Sequence, residues 1–206
     1  MTGVGDKAFC AGADLGELIP LMTGTREPQN EFDRRYADDI SKKGMYLINN
    51  DPVKPVIAAI NGHAIAGGCI LALACDYRVA SAHPKVRIGL TELALGVAFP
   101  PGVFKLLQSR LPSAHQDELM LGAGLHAPER ALALGLVDAV AEDPVAAGRE
   151  RLEQLAGYPS STYVQTKRAL HTVDFAAACA VPGAWDMVLD AWMSDEVRGR
   201  MKALVR

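Results

Sequence analysis

"GHAIAGGCILALACDYRVAS", residues 62–81, is the stretch whose reading decides the fold. It follows "PVIAAIN" (55–61), a β-branched run that is apolar on both faces, as a buried strand is. A loop over residues 62–66 leads to the glycine pair Gly67-Gly68 and to a short helix of Cys, Ile, Leu and Ala, predicted over 67–75. "YRVAS" (77–81) and "KVRIG" (85–89) read as further short strands. Strand, loop, helix and strand in close succession predict an α/β fold.

Working outward, residues 3–14 are rich in Gly and Ala and read as a loop with a short extended piece at Ala8–Cys10. A polar helix is predicted over 31–49, with Phe32, Tyr36, Ile40, Met45, Leu47 and Ile48 at roughly helical spacing, stopped by Asn49-Asn50-Asp51-Pro52. "TELALGVAFPPGVFKLLQSRL" (91–111) gives a loop, a Pro-Pro-Gly turn and a helix over 103–111. Beyond residue 112 the texture is helix after helix: 113–121, 127–134, 145–156, 160–171 and 183–204, with "GLVDAV" (135–140) as a brief extended interruption. Pro128 just inside one start and Gly135 just past its end show the usual helix asymmetry. The expected organisation is an α/β core over 1–122 and a helical region over 123–206.

The 206 residues suffice for one sizeable core. Half are hydrophobic, 22% are charged and the net charge is −3, with Lys and Arg scattered. That balance offers nothing to nucleic acid or an anionic membrane surface. The apolar segment 56–75 is broken by Asn61, Gly62, His63 and the glycine pair, so no membrane span is read there. No signal peptide is read at the start either. Cys10, Cys69, Cys75 and Cys179 have no CxxC spacing and read as reduced thiols of a cytoplasmic protein. The five histidines show no ligand spacing, and no metal is assigned.

The glycine turn poses the chemical question. "GHAIAGGC" has the glycines of a phosphate loop without its Lys and Ser/Thr. "GVGDKA" (3–8) fits a loose dinucleotide string but has no strand before it. Cys69 has no histidine tied to it and reads as a buried, inert thiol. What remains is the backbone itself. A helix start leaves N–H donors free at the positive end of its dipole, and Gly67 has no side chain to block an approaching carbonyl oxygen. That is half of an oxyanion hole. A second bare N–H is available in "FCAGADL" (9–15). Either stretch alone is explained better by a close-packed turn; it is both together that point to a site.

"KAFCAGADL", "KPVIAAINGHAIAGGCILALACDYRVAS", "RIGLTELALGV" and "GLHAPERALALGLVDAV" together resemble the enoyl-CoA hydratase/isomerase (crotonase) superfamily over residues 2–206. The resemblance implies a crotonase-like spiral of β-β-α turns, N-terminally incomplete, with a helical C-terminal trimerisation region. It implies an acyl-CoA substrate, no separate cofactor, and a homotrimer or dimer of trimers. The thioester oxygen would lie between the N–H groups of Ala13 and Gly67, and Ala11, Ala13, Asp14 and Leu15 would line the CoA path. Other family members carry further strand-helix turns, including CoA-gripping residues, ahead of the phrase that opens this chain. If Met1 is the true start, the leading sheet edge is expected to face solvent or a partner chain.

Family members that hydrate enoyl-CoA carry two glutamates. Here the position after Gly-Gly-Cys is Ile70, which handles no proton, while the other matches Glu92 in "GLTEL". Adding water asks for a positioned, deprotonated water and a proton delivered to carbon; moving a double bond from 3,4 to 2,3 asks only one base to carry a proton from C2 to C4. The pattern is most similar to the single-glutamate Δ3,Δ2-enoyl-CoA isomerase branch, with Glu92 as the shuttle. Leu90, Leu93, Ile70 and Phe99 are expected to desolvate it and raise its pKa. Hydration, and a non-catalytic structural homologue, stand as alternatives. Asp14 reads as a helix cap, Asp76 as a turn-holding group and His63 as a packed or hydrogen-bonded histidine.

Overall fold

The computed structural model describes residues 1–12, 54–170, 190–191 and 194–204. The helix expected over 31–49, the site candidates Ala13, Asp14 and Leu15, Cys179, and residues 183–189 and 192–193 of the helix expected over 183–204 lie outside them.

Among the described residues six strands form two parallel sheets: β1 (Ala8–Cys10), β2 (Ile57–Ile60), β3 (His63–Ile65), β4 (Tyr77–Ser81), β5 (Ile88–Gly89) and β6 (Ala139–Ala141). One sheet has the order β1-β3-β5 and the other β2-β4-β6. Successive strands therefore enter the two sheets alternately, and the chain coils as the resemblance implies. Its leading turn includes Met1 and Thr2, which run beside β2: Ala59 N–H donates to Met1 O at 2.8 Å, and Thr2 bridges Ala59.

β2 is buried at all four positions, which is why its sequence lacks the polar alternation of a half-exposed strand. Helix α1 (Gly67–Leu73) buries Gly68, Cys69, Ile70, Ala72 and Leu73. Ile60, Leu73, Ile88 and Leu90 then join Leu106 and Leu107 from α3 (Pro101–Arg110) in one core. Each such side chain contributes roughly 1.5–3 kcal/mol by leaving water.

Several boundaries differ from the sequence reading. Residues 62–66 hold strand β3, which pairs with β1 and β5, where a loop was expected; its three residues are too few to show a period. The strand expected over 85–89 shortens to Ile88–Gly89. The expected loop at "TELAL" forms a one-turn helix, α2 (Glu92–Leu95). The helix expected over 113–121 is a 3-10 turn, Ser113–His115, followed by α4 (Gln116–Leu121). α5 (Pro128–Ala133) follows, with Gly135 at φ 77° past its end.

Residues beyond 122 complete the core. β6 pairs with β4, and α6 (Pro144–Ala156) packs on β2 and β4, capped by Asp143 Oδ1 accepting from Val145 N–H at 3.0 Å and Ala146 N–H at 2.9 Å. Arg78 pins β6 through Asp138: its N–H reaches Oδ2 and its Nη2 reaches Oδ1, both at 2.8 Å. α7 (Ser160–Leu170) is pinned through Lys167, whose Nζ donates to Asp76 Oδ2 at 2.8 Å and Lys54 O at 2.9 Å. The same Asp76 oxygen accepts from Val56 N–H at 2.7 Å, so this carboxylate holds a turn as expected and also a helix.

Candidate active site

β1, β3 and β5 run parallel and side by side, and a site segment leaves each at the same end. Gly12 follows β1, Gly67 follows β3 and Glu92 follows β5. The carboxyl end of a parallel sheet is the general place for a ligand crevice.

The glycine pair divides the task. Gly68 is there for packing: a Cβ on it would lie 1.8 Å from Cys10 O and 2.6 Å from Cys10 C. Only a glycine lets the start of α1 press against the backbone leaving β1. Gly67 is more open, since its Cβ would meet Gly12 Cα at 3.7 Å, an ordinary contact. The first bond into the helix runs from Ile70 N–H to Ala66 O at 3.0 Å. Gly67 N–H therefore has no partner among the described residues and stands at the positive end of α1.

Two residues missed by sequence reasoning set this donor. Gly12 has φ +90°, and a Cβ there would lie 3.2 Å from Ile65 O and 3.6 Å from Gly67 N, so the bare backbone keeps the space beside the donor clear. The glycine in "FCAGAD" carried that signal. Ala66, the N-cap of α1, has φ 52° and ψ −124°, a conformation that side chains rarely take. It is held there by Ala66 N–H donating to Gly89 O at 2.9 Å, which ties the glycine turn to β5. Nothing in the residue type foretells that strain. Ala11 is exposed beside Gly12.

Glu92 opens α2 and is 8% exposed. Its Oε2 is buried with no hydrogen-bond partner among the described residues. Burial pushes the carboxyl up from 4.5 to about 7, against the pull of the backbone N–H groups of Glu92 and Thr91. Leu90 and Ile70 are buried as expected, and Phe99 is half-buried against the core. Leu93 is 43% exposed and does not desolvate its neighbour, contrary to expectation. Consecutive helical residues point about 100° apart, so turning Glu92 inward turns Leu93 out.

Cys69 is buried, and its thiol is pushed up to about 12 by burial and by the nearby Glu92 carboxylate. It is neutral at ordinary pH and no nucleophile. His63 is a hydrogen-bonded residue: its Nδ1 accepts from Arg87 N–H at 3.0 Å. Among the described residues no group of three His, Cys, Asp or Glu is placed to hold a metal, and no helix is long and apolar enough to cross a membrane.

The arrangement thus offers one bare N–H for a developing oxyanion, and one buried carboxyl that trades its proton near neutrality. Its chain context agrees, because the family model described as enoyl-CoA hydratase/isomerase matches residues 1–184. The chain belongs to this family. Enoyl-CoA hydratase/isomerase relatives of both reaction types are similar to it. The (E)-benzylidenesuccinyl-CoA hydratase of Thauera aromatica is 33% identical over 82% of this chain and 62% of its own length. The mitochondrial enoyl-CoA delta isomerase 1 of Mus musculus is 37% identical over 66% of this chain and 45% of its own. Among solved structures, human mitochondrial delta3-delta2-enoyl-CoA isomerase has a TM-score of 0.76 and 26% identity, covering 99% of this chain and 77% of that one. The chain spans between 45% and 62% of the length of these two curated relatives.

Proposed function

We propose that this chain shifts the double bond of a 3-enoyl-CoA to the 2,3 position. The thioester carbonyl binds with its oxygen on Gly67 N–H, and on Ala13 N–H as the second donor. Ala11, Ala13, Asp14 and Leu15 line the CoA path. Glu92 takes a proton from C2, the dienolate is held by the two donors, and the same carboxyl returns the proton at C4. One buried carboxyl with a pKa of about 7 carries this reading. Such a group is half ionised at neutral pH and suited both to accept and to give back a proton. Ile70, buried where a second acid would stand, supports isomerisation over hydration. A cytoplasmic homotrimer, or a dimer of trimers, belongs to the same reading.

The test offers purified protein a 3-enoyl-CoA and follows the appearance of 2-enoyl-CoA absorbance. A parallel arm offers 2-enoyl-CoA in water. Consumption in that arm at comparable efficiency replaces the isomerase assignment with a hydratase one, the activity named for the Thauera aromatica relative. No turnover in either arm leaves the structural-homologue alternative.

A further inference from the structure

α2 has four residues and one turn, too short to hold its own shape. What braces it comes from the other end of the chain. Helix α8 (Asp195–Leu204) lies against it, and Val197 and Met201, four apart on one face, are each 3% exposed. With Val97, and with Leu95 packed alongside, they form a buried cluster separate from the main core. The fit is close. Gly96, at φ +77°, ends α2, and a Cβ there would lie 3.0 Å from Val197 Cγ2. Arg200 Nη1 donates to Ala94 O at 2.9 Å, meeting a carbonyl that so short a helix leaves over at its end.

We propose that α8 is the seat of Glu92: Val197, Met201 and Arg200 act as positioning residues that hold α2 with its first side chain turned into the core. The role of that carboxyl rests on the isomerase reading above; the seating does not. α2 hangs between two attachments. β5 fixes its start, and the α8 cluster fixes its end. Loosening the second attachment lets the turn roll and admits water to the carboxyl, while the main core, which shares no residue with the cluster, stays intact. The titratable group near Glu92 from α1 is the Cys69 thiol. On α8, Arg200 and Glu196 pair with each other at 2.7 Å, and Arg198 with Asp195 at 3.7 Å.

The experiment makes Val197→Ala and Arg200→Ala in the full chain. It follows protonation of the Glu92 carboxyl by infrared difference titration, the band being assigned by its loss in Glu92→Gln. Isomerase kinetics are measured alongside. We expect the titration midpoint to fall toward the ordinary carboxylate value in both variants. We expect kcat to fall by up to about 10²-fold with KM little changed, the cost of a slightly misplaced reacting group. Arg200→Lys, which keeps a donor for Ala94 O, should restore part of both. Unchanged midpoint and kcat in folded variants overturn the proposal, as does lowered stability with neither changed. Should Val197→Ala fail to fold, Arg200→Ala, altering a side chain 48% exposed, decides the matter alone. A wild type without turnover whose midpoint still moves in the variants removes the isomerase reading and keeps the seat. Turnover with an immobile midpoint does the reverse.

Discussion

Replacing Glu92 by Gln should make this protein more stable and less active, and the pH dependence of the stability gain identifies the cause. In the folded chain the carboxyl loses its proton near 7, against 4.5 for an ordinary glutamate. Between those values the native state keeps a proton that the unfolded chain has released, so stability falls as pH rises through the window. The penalty is absent below about 4.5 and complete above about 7. At about 1.4 kcal/mol per pH unit it amounts to roughly 3 kcal/mol. Glutamine has the same shape and no proton to lose. Urea unfolding of wild type and Glu92→Gln at pH 4 and pH 8 should show near-equal stabilities at the lower pH. At the higher pH the variant should gain up to about 3 kcal/mol. The variant's kcat/KM should drop by roughly 10²–10⁴-fold, as loss of a positioned base does. On the proposed isomerisation, wild-type kcat/KM should rise with pH about a midpoint near 7, because Glu92 must be ionised to accept a proton. A stability difference independent of pH would refute the burial argument. Full turnover by the variant would remove the carboxyl from the chemistry.

Three further substitutions probe the turn and its supports. Gly12→Ala should cost about 1–2 kcal/mol for a side chain at φ +90°. Its methyl, 3.6 Å from Gly67 N, should also lower kcat/KM by up to about 10²-fold, and a variant with wild-type kinetics would show that this space is not used by substrate. Ala66→Gly should raise stability by about 1 kcal/mol in thermal or urea unfolding, since glycine accepts φ 52° without strain; a loss of stability would count against strain at this residue. Asp76→Ala should destabilise by about 3–5 kcal/mol, because it breaks the buried ion pair with Lys167 and removes the carboxylate that accepts from Val56 N–H. A cost below about 1 kcal/mol would mean that water reaches the ammonium.

How much of this was legible beforehand follows from where each signal lies. β2, α1 and β4 were readable because length, branching and glycine punctuation all agree there. β3 was not, because three residues show no period and its partners, β1 and β5, lie far off in sequence. α2 was hidden for a related reason: one turn has no periodic face, and its shape comes from contacts with α8. Gly67 and Glu92 were singled out as candidates by the phrases around them. The inward turn of Glu92 was not legible there, and that turn also put Leu93 outside. Gly12 was printed in the phrase that carries Ala13, but its part depends on a through-space approach to residue 67. Asp76 was recognisable as a turn residue, whereas its partner Lys167 is set by tertiary packing alone.

In the parallel ladder β1-β3-β5 the strand spacing itself sets a distance. Neighbouring strands in a sheet stand about 4.8 Å apart, a spacing set by backbone hydrogen bonds whatever the side chains are. Gly67 leaves the middle strand, Gly12 the strand to one side and Glu92 the strand to the other. The ladder is therefore a ruler: the Gly67 N–H and the Glu92 carboxyl are spaced by rungs, and neither depends on a long loop finding its place. Substitutions can accumulate around these strand ends while that spacing stays fixed, so the surroundings of the Gly67 N–H and the Glu92 carboxyl can change without the distance between the two drifting with them.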